Sequence, residues 1–189
     1  MKRPALEDDD EILMLRTGKG DRDAFRQLLE RHLDRIVAFA ARVLGDRSFA
    51  EDIAQETFLR LWTHARDWQP TAKLTTWMYR VALNLCLDRR PRGDGVALDD
   101  VPEPTDPGAS QLALLQAKDV GEHVNRALAE LPPQQSSAIA LCHYQGLSNR
   151  EAAEVMGVSI EAIESLLARG RRTLRERLGA LRPDLLGEA

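Results

Sequence analysis

Cysteine is nearly absent from this chain: Cys86 and Cys142 are the two in 189 residues. They stand far apart, each inside an apolar helical pattern, which excludes a disulfide framework. Both are expected to be small buried hydrophobes in a reducing compartment. His143 follows Cys142, but adjacent residues point to different sides of a helix and no CxxC or HxxxC pair joins them, so no metal site is expected. No run of about 18 apolar residues occurs, so no membrane-inserting helix is expected. The N-terminus, MKRPALEDDDE, turns acidic where a signal peptide would turn apolar, which places the chain in the cytoplasm. Its EDDDE run, from Glu7, is expected to be solvated and disordered. Gly-rich phosphate loops and internal repeats are missing as well. The four histidines are scattered, and no carboxylate pair, nucleophile elbow or ligand spacing appears. No catalytic residue, no cofactor and no enzyme activity is therefore expected. An excess of positive charge is also lacking. Lys plus Arg number 26 against 30 Asp plus Glu, a formal charge of −4, which opposes any polyanionic partner.

What is present is helix. The hydrophobic fraction is 43% and the charged fraction 30%, the balance of a folded globular chain. Nearly every periodic segment repeats at three to four residues and none alternates as a strand does, so the fold class is all-α. Asp21 can cap a long helix to Leu44, ended by Gly45, with Phe25, Leu28, Leu29, Leu33, Ile36, Val37, Ala40 and Leu44 inward. Ser48-x-x-Glu51 has the pattern of a capping box for a helix that turns Ile53, Phe58, Leu61, Trp62 and Ala65 inward. A short connection from Asp67 to Lys73 leads to a helix from Leu74 to Arg90.

The composition then changes. Residues 91–108, PRGDGVALDDVPEPTDPG, carry Pro91, Pro102, Pro104, Pro107 and five acids, which suits a tether and cannot supply a core. Helical periodicity resumes near Ser110 and runs to Leu131, and Pro132-Pro133 opens the next helix. This predicts two small helical domains joined by a flexible acidic linker, folding separately: 10–92, a linker at 93–117, and 118–182.

The second domain contains a helix-turn-helix pattern. Ser148-x-x-Glu151 is a capping box, Gly157 suits a left-handed helix end, and Ser159 can cap the following helix. On a wheel of about 100° per residue, Ile160, Ile163, Leu167, Leu174 and Leu178 share one sector. Glu161, Ala162, Ser165, Arg169 and Arg172 fall opposite. In such motifs the early positions meet base edges and flanking cations meet phosphates, and Arg150 on the preceding helix is placed to reach a phosphate. From Ser165 to Arg182 there are six arginines and one acid, Glu176, so the cations are local. A handful of phosphate contacts binds weakly, and something else must supply most of the affinity.

Two further faces stand out in the first domain. Thr76, Arg80, Asn84 and Asp88 stand four apart and form one polar row on an otherwise apolar helix, with Arg89, Arg90 and Arg92 at its end. Trp68, in the loop before it, is either core or a platform for an unpaired base. On the preceding helix Asp52, Gln55, Glu56, Leu59 and Thr63 make an acidic face with an exposed leucine, which suits a protein groove better than DNA.

These segments resemble the extracytoplasmic-function (ECF) group of bacterial RNA polymerase sigma factors. DAFRQLLERHLDRIVAFAARVLGD is similar to the family's first helix and AEDIAQETFLRLW to its polymerase-binding segment. LTTWMYRVALNLCLDRRPR is similar to the segment that melts and reads the minus-ten element. ALAELPPQQSSAIALCHYQGLSNREAAEVMGVSIEAIESLLARGRRTLRERL resembles the domain that reads the minus-thirty-five element. The likeness runs from residue 12 to 180 in family order. It implies binding to RNA polymerase core, promoter-specific initiation of stress-responsive transcription, and control by an anti-sigma factor. It carries core binding to Asp52, Gln55, Glu56 and Leu59. It carries minus-ten DNA to Trp68, Lys73, Arg80, Asn84 and Arg89, and minus-thirty-five DNA to Arg150, Ser165, Arg169 and Arg172. Glu164 and Leu166 depart from the family by standing where many relatives are basic. The resemblance also resolves the charge problem, since polymerase would supply much of the grip on DNA. An ordinary helix-turn-helix regulator, or an adaptor that binds only protein, are the competing expectations.

Overall fold

The computed structural model describes the backbone of residues 5–70, 73–89 and 124–185, and all of its regular structure there is helical. The linker at 93–117 and the helical start near Ser110 lie outside the described residues. Helix α1 (Ala5–Gly18) leads to α2 (Arg22–Leu44), α3 (Arg47–His64), a 3-10 turn (Ala65–Asp67) and α4 (Leu74–Arg89). The described part of α5 is residues 124–129. Then come α6 (Pro133–Ile139), a π-helical turn (Ala140–Tyr144), α7 (Asn149–Met156) and α8 (Ile160–Leu185).

Local chemistry sets most of the ends. The Asp21 carboxylate accepts from the Asp23 and Ala24 amides, and Gly45 closes α2 at φ 77°, where a side chain would be strained. Helix α3 begins two residues earlier than its Ser48 capping pattern suggests. Asp46 is the cap, accepting from the Ser48 and Phe49 amides, and Ser48 donates its hydroxyl to the same carboxylate. A carboxylate is the stronger acceptor of the two candidates, so Glu51 is left to pair with Arg47.

The acidic N-terminus is not a solvated tail from Asp9 onward. It forms α1, whose Leu13 and Met14 enter the core. Gly18 docks so closely on the 3-10 turn that a Cβ there would lie 2.2 Å from the Ala65 carbonyl oxygen. Asp10 is buried and holds α1 to α2, meeting His32 Nε2 at 2.8 Å and Arg31 at 3.0 Å. Burial pushes the Asp10 carboxyl up, but the hydrogen bonds and charges of His32 and Arg31 outweigh it and hold it below 3.8. A depressed carboxyl stabilises the fold above its unfolded value and loses that contribution as pH falls through its folded value. Asp10→Ala is expected to cost about 1–3 kcal/mol at neutral pH. In thermal melts the gap from the parent chain should close below pH 3.8. A gap that persists unchanged at lower pH would remove the carboxylate from this role.

The two domains do not stand apart. Helix α7 packs on α4, and α6 with the π-helical turn packs on α2, so the buried side chains of both domains form one continuous core. The two domains, expected to fold as separate units, are packed together in this form. The tether's composition governs its own conformation and says nothing about surfaces it brings together.

Candidate nucleic-acid and polymerase interfaces

The helix-turn-helix is built as its sequence suggests. Ser148 Oγ accepts from the Glu151 amide at 3.3 Å, and Glu151 Oε2 accepts from the Ser148 amide at 2.9 Å. Gly157 ends α7 at φ 67°, and Ser159 Oγ takes the Ala162 amide at 3.2 Å. Ala152, Ala153, Val155, Ile163 and Leu167 bury the crossing. Ser165, Arg169 and Arg172 are exposed along α8, with Arg150 exposed on α7. No described carboxylate pairs with Arg150, Arg169 or Arg172, whereas Arg177 is taken up by Glu130.

Two residues of α8 lie differently from expectation. Leu166 is 6% exposed and belongs to the core, so it cannot alter promoter contacts as a reading residue; of the two departures from the family only exposed Glu164 faces outward. Ile160, expected inward, is 38% exposed, while Ile163 on the same sector is fully buried. Sequence reasoning also missed Gly170. A Cβ there would come within 2.7 Å of Ile139 Cδ1, so α8 packs tightly on α6 and a larger residue would require the Ile139 side chain to shift. A glycine among the arginines of a long helix was the signal.

On α3, Asp52, Gln55 and Leu59 are exposed, Leu59 at 62%, while Phe58 is buried. Glu56 is half-buried and pairs along the helix with Arg60 at 2.8 Å. Asp52 crosses to Arg89 on α4 at 2.8 Å, and the Arg89 guanidinium lies 4.7 Å over the Phe49 ring. Arg89, assigned by the resemblance to DNA, and Asp52, assigned to polymerase, lie joined on one exposed surface.

Trp68 is 8% exposed and is a core residue. Its ring meets His64 and Trp77 edge-on at 5.8 and 6.4 Å, and His64 stacks on Trp77 at 5.0 Å. The base-platform assignment is therefore corrected: a ring covered on this scale offers no free face. Arg80 and Asn84 are exposed, but Thr76 at the head of their row is buried, so the polar row starts inside the core.

The expected minus-ten face is where the second domain sits. Lys73 Nζ donates to Glu151 at 2.9 Å, and Arg80 donates to the Glu154 carbonyl. Beneath them Tyr79 donates its hydroxyl to Gln145 Oε1 at 2.7 Å, and Gln145 Nε2 reaches the Arg35 carbonyl at 3.4 Å. The Arg42 guanidinium lies 4.1 Å over the Tyr144 ring. Burial pushes the Tyr79 phenol up to about 12, against the opposing charge of Arg35, so it stays a donor. Burial also pushes Glu151 up, but the Lys73 hydrogen bond and charge and the bonds from Ser148 outweigh it, holding the carboxyl below its usual range. Sequence gave no sign of this contact, because Tyr79 and Gln145 are 66 positions apart.

Two family models match, "Sigma-70 region 2" over residues 28–94 and "Sigma-70, region 4" over residues 122–174. The ECF RNA polymerase sigma factor SigE of Mycolicibacterium smegmatis is 32% identical, over 80% of this chain and 60% of its own length. The ECF RNA polymerase sigma factor SigW of Bacillus subtilis is 30% identical, over 85% of this chain and 91% of its own. This chain belongs to the ECF RNA polymerase sigma factors. Its structure is also similar to the sigma factor RpoE solved in complex with the anti-sigma factor NepR from Bartonella quintana. The TM-score is 0.63 at 27% identity, covering 82% of this chain and 96% of that one. As a sigma factor the chain directs promoter-specific initiation and is not itself an enzyme. The first family model spans most of α2 with α3 and α4, the second the helix-turn-helix, so α1 with its buried Asp10 lies outside both. Among the described residues no helix is long and apolar enough to cross a membrane.

Proposed function

We propose that this sigma factor acts in the cytoplasm, docking on RNA polymerase core through Asp52, Gln55, Glu56 and Leu59. Leu59 carries this reading, since a leucine 62% exposed on an acidic helix face offers an apolar anchor for a protein groove. Arg80 and Asn84 would read the minus-ten element, with Lys73 beside them, and Arg89 would orient Asp52. Arg150, Ser165, Arg169 and Arg172 would hold the minus-thirty-five element. Because Lys73 and Arg80 are engaged by α7, the packed form is the resting form and polymerase opens it. An anti-sigma factor would control this sigma factor, as the similar RpoE was solved in complex with one.

Mixing the chain with polymerase core should yield promoter-dependent transcripts. No transcripts from this mixture would leave the reading without support. Asp52→Lys with Glu56→Lys should weaken core association in a pull-down far more than it lowers stability, the two exposed ion pairs being worth about 1 kcal/mol or less each. Undiminished association would move the polymerase face elsewhere. Arg169→Ala and Arg172→Ala should each weaken the minus-thirty-five contact and flatten the salt dependence by about one if they meet phosphate. A loss confined to one promoter sequence would assign base reading instead.

A further inference from the structure

We infer that the cleft between the end of α1 and the end of α3 is a second nucleotide subsite, one that takes a base and its phosphate from the unpaired promoter strand. This rests on the sigma-factor reading and deepens it. The cleft holds about 180 Å³ and is lined by Thr17, Gly18, Lys19, Gly20, Trp62 and Arg66. That volume is about six waters' share of the liquid, room for a flat base but not for a duplex.

Its chemistry is specific. Lys19 and Arg66 are exposed and pair with no described carboxylate, whereas neighbouring Arg16 is held by Asp21 at 2.8 Å. Asp21 is further occupied by capping α2, which leaves exposed Asp67 as the nearby acid on the 3-10 turn. The backbone does not make an anion nest here. The amides of Lys19, Gly20 and Asp21 donate to the Arg16 and Thr17 carbonyls, and the Thr17 hydroxyl donates to Leu13. Attraction for phosphate therefore comes from the two side chains. The wall is Trp62, half-buried and braced by Phe25 at 5.1 Å with the rings crossed at 73°. Cations flanking a fixed aromatic are what single-stranded sites use, since every base has a face to stack. The backbone of α1 comes this near only because residue 18 has no Cβ to strike Ala65. Position supports the assignment too: Arg66 stands two residues before Trp68, where the loop to Lys73 and the minus-ten face begins. In the packed form Lys73 and Arg80 are engaged by α7, whereas among the described residues no hydrogen bond or ion pair joins the second domain to Lys19 or Arg66.

The test uses holoenzyme carrying Lys19→Ala and Arg66→Ala. Both positions are exposed, so thermal melts should match the parent. Binding is measured against salt on a forked promoter with an unpaired strand and on the fully paired promoter. The double variant should bind the fork about tenfold more weakly, with a salt slope flattened by about 1.4, from roughly 0.7 per cation on single strands. Binding to the paired promoter, measured at low temperature where the strands stay closed, should be unchanged. Unchanged fork affinity and slope would overturn the subsite while leaving the sigma reading intact. Lost association with core would instead assign the cleft to an acidic segment of polymerase. Thymidine monophosphate competing as well as the fork would assign it to a free nucleotide; either result overturns the proposal. A parent chain that confers no promoter binding on core would overturn the sigma reading, and the subsite with it.

Discussion

Trp68→Ala is expected to cost the fold about 3–5 kcal/mol, the usual range for deleting a buried aromatic. The ring is 8% exposed and sits against His64 and Trp77. Its loss leaves a void beside the stacked His64–Trp77 pair, so the end of α3 and the start of α4 should loosen together. Trp68→Phe separates packing from polarity. Trp68 Nε1 is buried with no hydrogen-bond partner, so phenylalanine removes an unpaired donor while keeping most of the ring. That variant should lie within about 1.5 kcal/mol of the parent, as shape-conserving swaps do. Paired thermal melts and permanganate footprints of the promoter decide the matter. A Trp68→Ala protein that melts like the parent but fails to open DNA would restore the base-stacking role.

Gln145→Ala combined with Glu151→Ala is expected to open the packed molecule. The first change leaves the buried Tyr79 hydroxyl without its acceptor, a penalty of about 1–3 kcal/mol. The second removes the ion pair to Lys73, a partly exposed pair that contributes about 1 kcal/mol or less, and with it the Glu151 half of the capping box that starts α7. One or two kcal/mol shifts an equilibrium by a factor of roughly 5–30. Small-angle scattering should show a larger radius for the free variant, and a single-stranded minus-ten oligonucleotide should bind it more tightly, because Lys73 and Arg80 are released. Equal radius and equal affinity would sink the idea that this contact masks the minus-ten face. The ionic part has a pH signature as well. Glu151 is held below its ordinary value, so its contribution is present above about 4.5 and is lost as pH falls through the folded value. Acidification should therefore loosen the parent but not the Glu151→Ala variant.

What the amino-acid sequence determined by itself was everything that depends on near neighbours. Asp21, Gly45, Ser148 with Glu151, Gly157 and Ser159 mark helix ends because a cap acts on amides two or three residues away. The apolar periodicity of α2 and the exposed face of Ser165, Arg169 and Arg172 follow from helix geometry in the same way. Even there, two acceptors two residues apart competed, and Asp46 displaced Ser48 through its charge. Only the tertiary structure decided matters set by partners far along the chain. Asp10 is buried because His32 and Arg31 lie across from it on α2, not because of its acidic neighbours. Leu166 is buried and Ile160 exposed within the first two turns of α8, a difference set by which neighbours pack there and not by the helix wheel alone. The cleft at Lys19 and Arg66 exists because Gly18 lets α1 close on Ala65. Tyr79 and Gln145 read as an apolar-face residue and a loop residue until the domains meet. A hydrogen bond spanning 66 positions leaves no periodic trace, since it depends on how two surfaces fit and not on any local pattern.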